Sequence, residues 1–271
     1  MFRVGIIAIL LNLPAVAPAD ETPDPKAEAE LVSQIAEEEA NHWTFTVSGD
    51  QPLARDKSVA LKWSNPSVGR IYGEVYLWTD RGCPAAVGSF YKWFTPWTDF
   101  TLEFKTLGHG KPVGLRDGER FWTPATEDVE FQKIKDAPPP DESPTVRLRQ
   151  MRTFAEEFSV TLHDTRIETE KGSEKQLRCL TRPIYRYDSS NPAILDGSVF
   201  AFVEGTDPET LLLLEARTEG AAAHWEFAFA RMNIDSIIGR YRDKEVWRVD
   251  PLDSRNEPKS PYTLFQDPRT P

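Results

Sequence analysis

Apolar residues recur along this chain in two rhythms. Over Ala27 to Ala40, Leu31, Val32, Ile35 and Ala36 fall on one stripe of a 3.6-residue helix, and Leu148, Met151, Phe154, Ala155 and Phe158 do the same further on. Both segments predict amphipathic helices. The second is introduced by Ser143 at the capping position and Pro144 in the first turn, where proline's fixed φ suits a helix start. The acidic run Glu37 to Glu39 predicts a solvated C-terminal end, and Arg147, Arg149 and Arg152 predict a water-facing side.

Elsewhere the rhythm is two. Phe100, Leu102 and Phe104 alternate with Thr101, Glu103 and Lys105, and Trp225, Phe227 and Phe229 alternate with Glu226 and Ala228, the pattern of antiparallel strands with one buried face. Val75 to Trp78, Val199 to Val203 and Leu211 to Leu214 are apolar on both faces and predict strands at sheet centres. The fold class that follows is α+β, mainly antiparallel β.

The pattern also repeats. Ser64-Asn65-Pro66 returns as Ser190-Asn191-Pro192, Gly73 with Tyr76 as Gly197 with Phe200, Pro84 as Pro208, Glu103-Phe104 as Glu226-Phe227 and Trp122 as Trp247, at nearly constant spacing. Phe45 to Ser48 matches Phe158 to Thr161 at a shorter spacing, which places an insertion at Glu168 to Lys175. The expectation is two repeated units, each an N-terminal helix followed by four or five strands, covering 20–135 and 145–250. The competing explanation is convergent strand-turn chemistry in a sheet-rich chain. Between the units lies a Pro-rich linker, 136–144, and after them 251–271 reads as a flexible tail with five prolines.

Residues 1–19 read as a signal peptide, with Arg3, an apolar run from Val4 to Leu13, Pro14, and small residues leading to a cleavage near Ala19. The run is too short to span a bilayer, which takes about 20 residues, so no membrane span is expected in the mature chain. The expected location is secreted or periplasmic. Of 271 residues, 43 are acidic and 32 basic, a formal net charge of −11 that argues against nucleic acid as a partner. Cys83 and Cys179 are a candidate disulfide in an oxidising compartment, with two separate thiols as the alternative. Two cysteines far apart and four scattered histidines offer no metal-ligand spacing, and no cofactor motif is present, so neither metal nor cofactor is expected.

The stretches Leu61-Lys62-Trp63-Ser64-Asn65-Pro66 and Tyr72-Gly73-Glu74-Val75-Tyr76-Leu77-Trp78, with Asp196 to Glu209, are similar to a family of predicted exported bacterial proteins of unknown function. That resemblance covers most of the mature chain and implies no reaction, ligand or catalytic residue.

Nucleophile motifs are absent: there is no Gly-x-Ser-x-Gly elbow, and the Gly-rich Leu107 to Pro112 lacks the Gly-Lys-Ser/Thr ending of a phosphate loop. Two constellations remain. Tyr91, Trp93 and Trp97, within a run of aromatics ending at a proline, are candidate ligand-binding rings, because flat indoles and phenols suit sugar faces and apolar ligands. Glu103 and Glu226, at matching places in the repeats, are weak catalytic candidates for a carboxylate pair of the glycosidase type. The first expectation is an exported non-catalytic protein that binds a small molecule, glycan or envelope partner. The alternatives are an acid-dependent hydrolase and a structural envelope scaffold.

Overall fold

The structure is a computed structural model and describes residues 24–47, 51–164, 173–220 and 222–267. The expected signal segment and the insertion core at 168–172 lie outside the described residues. About half of the described residues are in antiparallel strands, and two helices accompany them.

Helix α1 (Pro25–His42) is capped by Asp24, whose carboxylate accepts from the amides of Lys26 and Ala27 at 3.0 and 3.3 Å. Val32 and Ala36 of the stripe are buried, together with Ala40, whereas Leu31 is exposed. Its acidic end is not uniformly solvated. Glu39 turns inward, accepts from the Trp43 indole at 2.8 Å and forms a two-pronged pair with Arg116 at 2.7 Å, so a partner from a distant strand overrides the dipole penalty. Helix α2 (Pro144–Glu156) starts where the sequence places it, although the Ser143 hydroxyl makes no cap bond. Arg147 departs from the expected exposed side: it is 6% exposed and donates to Asp196 at 2.8 Å and to the carbonyls of Asp141 and Glu142. Burial of this cation is offset by its carboxylate partner.

Two large sheets dominate. The first runs, in spatial order, Tyr262–Asp267, Phe100–Thr106, Cys83–Thr95, Arg70–Asp80 and Ala54–Arg55, with Leu61–Ser64 also paired to Arg70–Asp80. The second runs Gln132–Lys133, Ala222–Arg231, Asp207–Glu219, Ile194–Glu204, Ser173–Cys179, Phe158–Asp164, Ser236–Tyr241 and Lys244–Val249, with Tyr185–Arg186 beside Ile194–Glu204. A small sheet of Gln51–Pro52, Trp43–Val47, Val113–Arg116 and Glu119–Trp122 completes the set. Among the described residues, seven strands of four or more residues lie in each of 20–135 and 145–250, more than the four or five expected per unit, and two-residue pairings, which leave no periodic signal, add to them.

Alternation explains the layering. Val75, Leu77 and Val87 of the first sheet meet Val199, Ala201, Leu211 and Leu213 of the second in one shared core. The opposite-parity residues Tyr76, Trp78, Phe90 and Phe104 face away, into a core closed by Ala36 and Ala40 of α1. Phe200, Phe202, Leu212 and Leu214 likewise face away, toward Met151, Phe154 and Ala155 of α2. The result is sheet on sheet with a helix outside each.

Two expectations are corrected by strand pairing. The segment expected as a flexible tail, 251–271, contains a sheet strand: Tyr262–Asp267 pairs along Phe100–Thr106 and forms an edge of the first sheet, with Tyr262 and Phe265 buried. Their apolar character is masked in sequence by the surrounding prolines and polar residues. Gln132–Lys133, from the first half, pairs with Glu226 and Phe227 of the second sheet. Each half therefore lends a strand across the boundary. The candidate disulfide is absent as well. Cys83 donates to the Ser189 hydroxyl at 3.4 Å in the core between the sheets, whereas Cys179 packs against the outer core and donates to the Leu180 carbonyl. Burial pushes both thiols up, that of Cys179 to about 11.

Gly73 and Gly197 each lie under an aromatic ring, Trp63 and Tyr187 respectively, and a Cβ at either would intrude on that ring. Gly73→Ala and Gly197→Ala should each destabilise the fold by about 1–3 kcal/mol through overpacking. Urea unfolding would show this as a lower midpoint in both variants.

Candidate binding site

The sheet edges and their connections enclose a cavity of about 570 Å³, a size suited to a small organic ligand. One wall comes from the first sheet. Trp63 and Tyr91 sit with ring centroids 5.3 Å apart, and Trp93 meets Trp97 edge-to-face at 4.7 Å and 87°. Trp97 follows the end of strand Cys83–Thr95 and is 51% exposed, so it forms a rim rather than a core residue. The bulge where Arg70 pairs with Thr95 and Ile71 with Trp93 splays this strand end.

The polar part of the lining comes from both halves of the chain. Glu103, on strand Phe100–Thr106, is 4% exposed and accepts from the Tyr262 hydroxyl at 2.6 Å. Glu209, at the start of strand Asp207–Glu219, is 3% exposed and accepts from the Asn233 amide. Asp207 takes a hydrogen bond from the Asn65 side chain. Asp99, Asp235, Asn256 and Gln266 extend the polar lining, and Arg255 is the one basic residue of the lining, at an exposed position.

These acids raise one another. Burial pushes the Glu103 carboxyl well above its usual range, Glu209 adds to the rise, and the Tyr262 hydrogen bond opposes it. Burial likewise lifts Asp207, with Glu209 and then Glu103 reinforcing the shift. Tyr262 and Tyr91 are held high by burial and by Glu103. A carboxyl held high in the fold keeps a proton that the unfolded chain has already lost. Its stabilising contribution is complete below the ordinary value of 4.5 and is lost as pH rises from there through the raised value. Glu103→Gln should therefore gain stability relative to the parent between pH 4 and pH 7, read as a difference in melting temperature that grows with pH.

The structure brings the candidate rings Tyr91, Trp93 and Trp97 together with Glu103 in one cavity. It does not bring Glu226 there. Glu226 is held by His224 at 2.8 Å and Arg217 at 3.2 Å, and is not among the residues lining the cavity. It stands opposite Glu215, in a network that also takes His109 at 2.6 Å from Glu215. The carboxyls that do join Glu103 are Asp207 and Glu209. Sequence reasoning passed over them because they sit at a hairpin turn, where acids are ordinary. Only their place in a buried register, with Pro208 opposite Val203, reveals their role.

Neither a scan of family models nor searches of curated proteins and of solved structures finds a match to this chain. Among the described residues, no helix is long and apolar enough to cross a membrane.

Proposed function

We propose that this is an exported, non-catalytic protein that binds a saccharide in the cavity between its two sheets. The observation that carries the reading is the meeting of Trp93, Trp97 and Tyr91 with a wall of carboxyls and carboxamides in one cleft. An indole rim offers a flat apolar face to the C–H side of a sugar ring, while Asn65, Asp207, Glu209 and Asn233 offer acceptors and donors to its hydroxyls. Purely apolar ligands would leave those buried polar groups without exchange for their lost water.

Export is supported by the sequence pattern of residues 1–19. We also propose that the two sheets are copies of one unit. The reading is supported by paired hairpins of the same lengths, Arg70–Asp80 with Cys83–Thr95 and Ile194–Glu204 with Asp207–Glu219. The matching glycine-under-ring contacts and the reciprocal loan of edge strands support it too. On this reading the cavity is a product of divergence. The place equivalent to Tyr91 holds Glu215, which pairs with His109 and Arg217 and fills the corresponding space.

The test is a glycan panel probed with the intact protein and with the Trp93→Ala/Trp97→Ala variant. The parent should retain defined glycans, and the double variant should lose at least about tenfold in affinity, roughly 1.4 kcal/mol, with its melting temperature little changed. Equal retention by both proteins would place binding elsewhere.

A further inference from the structure

We propose that His109 and Glu215 form a pH-sensitive latch, which at mildly acidic pH fastens the crossing segment 129–133 of the first half to the second sheet and slackens as pH rises toward 8. The inference goes beyond ligand binding and does not depend on what the cavity takes.

A segment that crosses from one half to the other has to be held in place. Val129 is buried, the Phe131 ring meets the His109 ring at 5.5 Å and the Arg217 guanidinium at 4.8 Å, and Gln132–Lys133 then pairs with Glu226 and Phe227 of the second sheet. The loop carrying His109 is packed on the same segment. Gly108 and Gly110 on either side of it both have positive φ, and a Cβ at Gly108 would press on Val129 and Phe131.

His109 ties this assembly to the second sheet. Its Nε2 lies 2.6 Å from Oε1 of Glu215, whose side chain is fully buried; the Tyr187 hydroxyl donates to the same oxygen at 3.0 Å, and Arg217 donates to Oε2 at 2.8 Å. Arg217 is shared. It also lies 3.2 Å from Glu226, which stands opposite Glu215 in register, takes His224 at 2.8 Å and faces Lys133 across the next strand pair. Lys133 in turn pairs with Glu219 at 2.8 Å, and His224 lies 3.8 Å from Glu219. With both imidazoles neutral, the carboxylates of Glu215, Glu226 and Glu219 meet two permanent cations, Arg217 and Lys133. Protonation of His109 supplies a charge at the carboxylate that water does not reach.

The other groups around Glu215 hold their charge across that range. Burial pushes the Glu215 carboxyl up, but His109 and then Arg217 outweigh it and hold it below its usual range, so it stays ionised. Burial and then Glu215 hold the Tyr187 hydroxyl far above its usual range, and burial pushes up the nearby Cys83 thiol, so both keep their protons. Histidine is the side chain that changes charge between pH 5 and 8. A neutral imidazole still donates to Glu215, but a charge-assisted hydrogen bond is about twice as strong. His224 differs in place: it and its partners Glu226 and Arg217 share one sheet, so its titration leaves the crossing untouched.

The experiment is amide hydrogen exchange on the intact protein at about pH 5.5 and pH 8, the window in which histidine titrates, with the intrinsic pH dependence of exchange divided out. Protection over 107–112 and 129–133 should fall at least about fivefold at the higher pH, while Phe100–Thr106 stays unchanged. His109→Gln should show the same weak protection at both pH values, and His224→Gln should respond as the parent does. In the parent, the His109 ring resonances should titrate with the midpoint at which protection changes. Equal protection of the parent at both pH values overturns the latch. So does a response lost in His224→Gln and kept in His109→Gln, or one that follows the His224 ring instead. The two-pH comparison and the ring titration on the parent decide the matter even if a variant fails to fold.

Discussion

Asp196→Ala is expected to cost the fold about 3–5 kcal/mol, a large share of the 5–15 kcal/mol by which a domain is held. Asp196 is 5% exposed and gathers four donors. Its Oδ2 accepts from Arg147 at 2.8 Å and Arg186 at 2.7 Å, and its Oδ1 accepts from Arg186 at 3.2 Å and from the Gly197 amide at 2.9 Å. Removing the carboxylate strands the buried Arg147 guanidinium and unfastens α2 from strand Ile194–Glu204. The loss is larger than for an exposed pair such as Arg248 with Glu245, where water screens the charges. Guanidinium chloride unfolding should separate the two: a large fall in midpoint for Asp196→Ala and almost none for Glu245→Ala.

Phe104→Ala is expected to be comparably severe, at about 3–5 kcal/mol. The ring is fully buried and meets Trp43 at 4.4 Å, stacks on Trp122 at 5.6 Å and 24°, and touches Phe45, Phe90 and Phe265. Five rings around one leave little room for collapse into the vacated space, so the cavity term adds to the transfer term. The same strand presents Glu103 on its other face. Loss of Phe104 should therefore loosen the binding wall as well as the core, visible as a lower melting temperature and weaker glycan retention in the same variant.

Much of the architecture was legible in sequence because it rests on local periodicity. The alternation of Leu102 and Phe104 with Glu103, the double-sided runs at Val75 to Trp78 and Leu211 to Leu214, and the two helical stripes all survive as strands and helices. The aromatic rim was legible too, since Tyr91, Trp93 and Trp97 stand together in the chain. What stayed hidden depends on distant pairing. Glu103 meets Tyr262 across 159 positions, and the strand carrying Tyr262 is embedded in a proline-rich segment with the composition of a tail. Glu39 and Arg147 carry charges that suit water but fall at helical spacing from Val32 and Ala36 and from Met151 and Phe154, on the buried faces, and Arg116 and Asp196, from remote strands, make their burial tolerable. The carboxyl pair suggested by matching positions failed for a related reason. Glu226 is held by Arg217 and His224 on its own sheet, whereas Glu103 faces an open cavity completed by Asp207 and Glu209.

The account stands on the rim indoles and the buried carboxyls acting together on one ligand. The most direct measurement is a nuclear magnetic resonance titration that follows the eight indole N–H signals of the protein, assigned by single substitution, as a glycan retained in the panel is added. The account predicts saturable shifts at Trp93 and Trp97, with the fully buried Trp78, Trp122 and Trp225 unmoved. Shifts confined to other tryptophans, or saturation with Trp93 and Trp97 unchanged, would contradict it.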